Sequence, residues 1–291
     1  EEEAKTPGVE FKMAVVGPAS SIVIGVALGL IWYALRGLEL SPLIVAPLQY
    51  ISYINLLLGG FNMLPAFPLD GGRVLRATLW KWKNDLISAT KTATNVGIAF
   101  SYLFMLGGLA IIFFGSIISG LWFILIGWFL KNGAESSLRQ TMVSEALVDV
   151  AVKDIMTSEV HTVEPEVSLK DLAENYFSKY KHGGFPVVKN STLLGLVTIE
   201  DVRKVAKSKW EETNAADVMT TCEKLVCVKP DEKALDALIK MSKQDVGRLP
   251  VRENGRLAGI VTRSDILHTI RVKTELSGER SNLDRLAYER S

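Results

Sequence analysis

The chain has 291 residues, a formal net charge of +1 and 48% hydrophobic residues. A balance so close to neutral gives no reason to expect nucleic acid as a partner. The average conceals two halves: residues 13–130 are apolar with charges in short patches, and from about residue 131 charges of both signs are spread evenly. This is the pattern of a membrane region followed by a water-soluble one.

Residues 1–12, EEEAKTPGVEFK, lack the apolar core and small-residue cleavage site of a signal peptide. The chain opens on Glu1 rather than Met, so the expectation is a start that has been removed, or a fragment of a longer protein. Four apolar segments follow, at 13–35, 43–64, 94–114 and 117–130. The first three can each cross a hydrocarbon layer of about 30 Å as a helix. The fourth is short for a span, and its Trp122 and Trp128 suit a membrane interface. Between the second and third segments stand Arg73, Arg76, Lys81, Lys83 and Lys91 against only Asp70 and Asp85. The other turns are nearly uncharged. The positive-inside rule then places residues 71–92, the N-terminal stretch and everything after Lys131 in the cytoplasm, an even count of four crossings.

Within the stretch NMLPAFPLDGGRVLRATLW, residues 62–80, Asp70 stands among Pro65, Pro68, Gly71 and Gly72. Proline lacks an N–H and disfavours helix for the residue before it, and glycine permits backbone conformations that other residues resist. An irregular backbone near membrane depth is tolerated only where protein or a watery cavity surrounds it. Two readings stay open for Asp70: a helix cap or wet residue just past the membrane, or a carboxylate facing a cavity as metal ligand or proton carrier.

The pattern Asn62-x-x-Pro65-x-x-Pro68-Leu69-Asp70-Gly71-Gly72, with Gly17-Pro18 in the first segment, resembles the second signature of the site-2 proteases, intramembrane zinc metalloproteases. The resemblance covers residues 1 to about 145. It implies that Asp70 is the third protein ligand of a catalytic Zn2+ and that Asn62 is an active-site polar group. In that family the other two ligands and the general base come from a His-Glu-x-x-His helix. This chain has only His161, His182 and His268, none followed by Glu and none in an apolar segment. Each reads as an ordinary surface or loop histidine. The expectation is therefore that the His-bearing helix belongs to a part of the protein preceding Glu1, a pseudoprotease lacking that helix being the alternative.

Residues 131–151 read as a helical linker, with Leu138, Met142, Ala146 and Leu147 near helical spacing. Residues 152–272 contain an internal repeat: Met156 matches Met219, Pro186 matches Pro250, Gly195 matches Gly259 and Asp201 matches Asp265. A repeat of this length is a domain-sized unit. Each copy predicts a helix (168–180, 233–243), a strand (Phe185 to Val188, Leu249 to Val251), a hairpin turn, a second strand (Leu193 to Val197, Leu257 to Val261) and a helix starting near Glu200 or Ser264. The alternation implies a small α/β unit. Cys222 and Cys227, the only cysteines, make no metal or disulfide framework by themselves.

The repeat resembles a tandem pair of CBS domains, at 152–209 and 215–272, a module that senses adenine nucleotides. The resemblance rests on Gly195-Leu-Val-Thr198-Ile-Glu-Asp201 and Gly259-Ile-Val-Thr262-Arg-Ser-Asp265. It implies that Asp201 and Asp265 accept hydrogen bonds from ribose hydroxyls. A helix start after each strand could receive a phosphate, with Thr198 and Thr262 adding hydroxyls; alternatively each Thr and Asp only caps its helix. Arg248 and Arg263 read either as phosphate partners or as solvated charges. Residues 273–291 are charged without a full apolar face and read as a frayed tail.

The expected architecture is a polytopic α-helical membrane domain of about four spans over residues 1–130, followed by an α/β tandem CBS pair. The expected function is that of the C-terminal portion of a multi-pass zinc metalloprotease of the cell membrane. It would hydrolyse peptide bonds of protein substrates embedded in the lipid bilayer, under a cytoplasmic CBS pair that binds ATP, ADP or AMP and associates as a homodimer. A CBS-gated transporter or channel, and a catalytically dead membrane scaffold with a nucleotide sensor, are the rival readings.

Overall fold

The computed structural model describes residues 6–38 and 41–276, the side chains of Pro42 and Ile44 excepted. The chain divides into two compact units, the first ending at Val143 and the second beginning at Ser144.

In the first unit, α1 (Pro7–Leu35) starts six residues before the apolar run. The reason is local. Pro7 suits the first helical turn, and the Thr6 hydroxyl accepts a hydrogen bond from Val9 N at 3.4 Å. The early start carries Glu10 into the interior, where it is 1% exposed. α2 (Pro42–Asn62) lies along α1. Their seam is made of small residues: a Cβ on Gly25 or Gly29 would collide with Leu56 or Ser52, and Ser52 Oγ donates to Gly25 O at 2.7 Å.

Residues 63–69 then run irregularly to α3 (Asp70–Lys83). This helix ends on Asn84 in the left-handed conformation (φ 54°), with Lys81 and Lys83 in its last turn. Asp85 caps α4 (Leu86–Phe113), accepting from Ser88 N at 3.0 Å. The basic stretch expected between spans is therefore helical almost throughout. After a turn at Gly115 (φ +96°) comes α5 (Ile117–Leu147). The expected short fourth span and residues 131–147 of the expected linker are one continuous helix of 31 residues. α4 and α5 meet closely, since a Cβ on Gly108 would lie 2.6 Å from Gly120 O and one on Gly127 2.6 Å from Ser101 O.

Among the described residues, α1, α4 and α5 are long and apolar enough to cross a membrane. α2, the remaining expected span, has 21 residues and carries Gln49, Ser52 and Asn55. Large apolar side chains such as Val23, Leu30, Leu103, Leu109 and Leu121 stand exposed on these helices, as lipid-facing side chains do.

Two devices hold this unit together. The first is the packing of residues 63–69. A Cβ on Gly71 would lie 2.3 Å from Leu64 O, one on Gly72 2.5 Å from Phe67 N, one on Gly97 2.9 Å from Phe67 N and one on Gly133 2.6 Å from a Pro68 ring carbon. The second is a buried ion pair. Arg76 donates through Nε to Glu10 Oε1 at 2.7 Å and also through Nη2, while Nη1 donates to Thr141 Oγ1 at 3.2 Å. The guanidinium carbon lies 5.2 Å from the centre of the Phe67 ring, within cation–π range.

In the second unit, α6 (Val152–Ile155) leads to a helical stretch of α7 (Leu169–Asp171), a π-helical turn (Leu172–Phe177) and α8 (Ser178–Tyr180). β1 (Gly184–Lys189) and β2 (Thr192–Thr198) form a hairpin whose turn residues Asn190 and Ser191 have φ of 51° and 65°, the paired positive values of a two-residue hairpin. α9 (Ile199–Arg203) and a 3-10 turn at Lys207–Lys209 follow. The second copy repeats the plan with α10 (Ala215–Val218), β3 (Thr220–Thr221), α11 (Ala234–Lys243), β4 (Arg248–Glu253), β5 (Arg256–Thr262) and α12 (Arg263–Leu276). The expected tail thus begins inside α12, where Thr274 is buried; its residues 277–291 lie outside the described residues.

The sheet runs β1-β2-β5-β4, antiparallel, with β3 also on β2. The two copies exchange their leading segments. Thr220 pairs with Leu196 of the first copy, and Thr157 pairs with Ile260 of the second. Gly195 and Gly259 are required by this exchange, because a Cβ there would meet Met219 Sδ and Met156 Sδ at 2.9 Å each.

Gly72→Ala should cost about 1–3 kcal/mol, because backbone and not a movable side chain opposes the new methyl. Gly107→Ala, which meets nothing within 4 Å, should leave the detergent-solubilised protein's unfolding midpoint unchanged. Arg76→Met should destabilise by about 3–5 kcal/mol by stranding a buried carboxylate, and the double variant with Glu10→Gln should recover much of that loss in the same melt.

Candidate functional site

The irregular segment 63–69 delivers Asp70 as the first residue of α3, with Leu69 extended before it (ψ 158°). Gly71 and Gly72 follow because only a residue without Cβ lets the first turn of α3 touch the segment it has just left. The half-buried carboxylate lies against α1, where a Cβ on Gly17 would stand 3.3 Å from Asp70 Oδ2. The Gly17-Pro18 and Leu69-Asp70-Gly71 elements thus meet in space. Asp70 has no ion pair or side-chain hydrogen bond among the described residues, in contrast to Glu10, whose Oε1 accepts from both Nε and Nη2 of Arg76. Asn62 is the last residue of α2, half-buried, and its carboxamide likewise has no partner among the described residues.

A catalytic zinc takes about three protein ligands. Among the described residues no group of three or more His, Cys, Asp and Glu side chains converges to hold a metal. All three histidines are exposed and lie in the second unit. Asp70 is one donor, so the described residues do not make a zinc centre by themselves.

The second unit contains two clefts of similar size. The first, about 530 Å³, is lined by Thr198 and Asp201 together with Leu225, Val226, Gly247 and Arg248. The second, about 520 Å³, is lined by Thr262 and Asp265 with His161, His182, Arg248 and Arg263. Each predicted Thr–Asp pair therefore caps a helix and lines a cleft at once. In the first, Thr198 N and Oγ1 donate to Asp201 Oδ2 at 3.1 and 2.7 Å, and Asp201 N donates back to Thr198 Oγ1 at 3.3 Å. In the second, Thr262 N and Oγ1 donate to Asp265 Oδ2 at 2.8 Å each, and Asp265 N donates to Thr262 Oγ1 at 3.3 Å. Both are reciprocal capping boxes.

The pairs differ in what remains free. Asp201 Oδ1 accepts from Lys204 Nζ at 3.2 Å, whereas Asp265 Oδ1 has no partner among the described residues. The helices differ too: α9 has 5 residues and α12 has 14. The dipole expected to help a phosphate is therefore substantial only behind Thr262.

Three features are not evident in the one-dimensional pattern. His161 stacks on Tyr180 with ring centroids 3.9 Å apart, and His182 lies 6.2 Å from His161, so two exposed histidines help wall the second cleft. Arg248 lines both clefts. Cys222 and Cys227 are neighbours. Arg252 Nη1 lies 3.1 Å from Cys222 Sγ, and the half-buried Cys227 thiol is pushed up to about 11, by burial first and then by Cys222, against the pull of Arg252 and Lys240.

A helical membrane unit with a carboxylate unpaired among the described residues at a glycine-cradled helix start, joined to a repeated α/β unit with paired clefts, defines the class: a membrane protein carrying a repeated α/β module. Residues 39–107 match the model of peptidase family M50, and residues 152–208 and 215–272 each match that of the CBS domain. Zinc metalloprotease MJ0392 of Methanocaldococcus jannaschii is 34% identical over 90% of this chain and 71% of its own length. Rip3 of Mycobacterium tuberculosis, which also carries a zinc-metalloprotease name, is 31% identical over 93% of this chain and 69% of its own. The AcuB protein of Vibrio cholerae, a solved structure, shares 30% identity over 45% of this chain and 98% of its own, with a TM-score of 0.41. The chain belongs to peptidase family M50, the site-2 proteases, in the form that carries tandem CBS domains.

With its pKa near 11 instead of 9, Cys227 should alkylate roughly a hundredfold more slowly than a free thiol at pH 8, since the thiolate is the nucleophile. Mass spectrometry after timed iodoacetamide treatment checks this, and denaturation should abolish the difference.

Proposed function

We propose that the membrane unit serves intramembrane proteolysis, the hydrolysis of peptide bonds in membrane-embedded protein substrates, and that Asp70 contributes one carboxylate to its zinc centre. The observation that carries this reading is the state of Asp70. Among the described residues of the unit, Glu10 is buried and Asp70 and Glu135 are half-buried. Glu10 is held by two donors of Arg76 and Glu135 lies 3.7 Å from Lys131 Nζ, whereas Asp70, set at the start of α3 by close backbone packing, has no partner among the described residues. A carboxylate among apolar helices is costly unless it has a task. Membership of a family whose relatives are named zinc metalloproteases supplies the task. Asn62, whose carboxamide also has no partner among the described residues, offers an amide for hydrogen bonding to substrate near the end of α2.

The CBS pair acts as the regulator. Its two clefts present hydroxyl, carboxylate and cationic groups suited to a nucleoside phosphate, adenine nucleotide being the ligand class of the resemblance. The basic side chains of α3 and the start of α4 (Arg73, Lys81, Lys83, Lys91) support, by the positive-inside rule, a cytoplasmic location in the cell membrane for that face and for the CBS pair. Nucleotide can regulate only by binding two states of the protein unequally.

The test is Asp70→Asn in the full-length protein purified in detergent. Metal analysis should show zinc lost to background, and a co-expressed membrane reporter substrate should remain uncleaved. Wild-type zinc content in the variant would remove Asp70 from the ligand set.

A further inference from the structure

The two copies of the CBS repeat are in register at every strand position of their hairpins. Gly184 stands opposite Thr198, and 64 residues later Arg248 stands opposite Thr262. At this equivalent position the first copy has no side chain and the second has the longest cation. Arg248 starts beside the Thr262 cap of the second cleft and crosses to the first copy. Its guanidinium lies on Gly183 and Gly184, where added Cβ atoms would stand 2.6 Å from Nη2 and 3.0 Å from Nη1. Nη1 donates to Gly184 O at 3.4 Å, the strand residue opposite Thr198. Side chains at 183 and 184 would close this path, which accounts for the paired glycines.

No carboxylate pairs with Arg248 among the described residues, and burial lowers its pKa from the ordinary arginine value. Of its five N–H donors, one weak bond to a carbonyl is accounted for. A partly desolvated guanidinium with free donors favours an anion, and its planar fork matches phosphate oxygens. Arg248 borders both clefts, while the other cations are private: Arg203 and Lys224 face the first cleft, and Lys181 and Arg263 the second.

We propose that Arg248 is one phosphate anchor shared between the two clefts, so that a phosphorylated ligand held in one cleft weakens the binding of a second in the other. The proposal rests on the reading of the clefts as nucleotide sites and adds their coupling. An uncharged nucleoside makes no demand on the guanidinium and should fill both clefts independently. The coupling is reciprocal, as any linkage between two equilibria must be.

The experiment is calorimetric titration of the full chain in detergent with ADP and, separately, with adenosine, for wild type and Arg248→Gln. Wild type should bind ADP in two steps, the second weaker by about tenfold or more, the scale of one charge-assisted hydrogen bond. One ADP against two adenosines is the limiting form of the same result. In Arg248→Gln the tight ADP step should weaken about tenfold and the two steps should merge, with adenosine binding unchanged as evidence that the module is folded. Two equal ADP sites in wild type, equal stoichiometry of one for both ligands, or a split that survives in the variant would each overturn the shared anchor while leaving nucleotide binding intact. No binding of either ligand by wild type would sink the nucleotide reading and the coupling together.

Discussion

The membrane unit depends on a run of close backbone contacts around residues 63–69. Gly71 and Gly72 of α3, Gly97 of α4 and Gly133 of α5 all face this segment at distances a methyl group could not share. A chain without regular hydrogen bonding is tolerated at this depth only if protein surrounds it, and four glycines from three helices provide the enclosure. Its consequence is the position of one carboxylate. Asp70 emerges where the segment becomes α3 and turns toward Gly17 of α1. The main-chain packing sets where the carboxylate starts, and neither of its oxygens has a side-chain partner among the described residues.

The ion pair of Glu10 and Arg76 complements that arrangement. It joins α1, α3 and, through Thr141, α5, and the guanidinium rests on Phe67 of the enclosed segment. Replacing such a pair by apolar side chains can be neutral in energy, so its value here is one of specification. Arg76 satisfies its donors only when three helices and the segment are all in place. The unit therefore holds charge in two ways: a closed pair that fixes the arrangement, and a half-buried acid without a partner among the described residues.

Much of this was legible in the sequence, and the residues show why. Asp70, its prolines and its glycines announce an irregular segment, since each breaks a helix for a reason that needs no tertiary context. The CBS hairpins are legible in the same way, through strand alternation and turn residues. Other features depended on partners remote in the chain. The apolar run begins at residue 13, yet α1 begins at Pro7, because Arg76 lies 66 residues away and makes burial of Glu10 tolerable. The end of the fourth span could not be read, because α5 carries a helical pattern from an apolar stretch into a charged one without a stop signal between Lys131 and Leu147. The proximity of Cys222 and Cys227, and the reach of Arg248, are products of the sheet register.

That register also binds the two repeats of the second unit into one module. Each repeat lends its leading segment to the other's strand, Thr157 to Ile260 and Thr220 to Leu196, so neither copy completes its fold alone. The chain leaving α5 is held in the same manner by the distant copy: Ala234 N donates to Val150 O at 2.9 Å and Val152 N to Glu232 O at 2.8 Å. The segment that follows the membrane helix in sequence is thus tied to the second repeat, whose Arg248 borders both clefts. The two clefts thus share one exchanged sheet and one bordering arginine, the structural basis of the coupling proposed between them for a ligand that carries a phosphate.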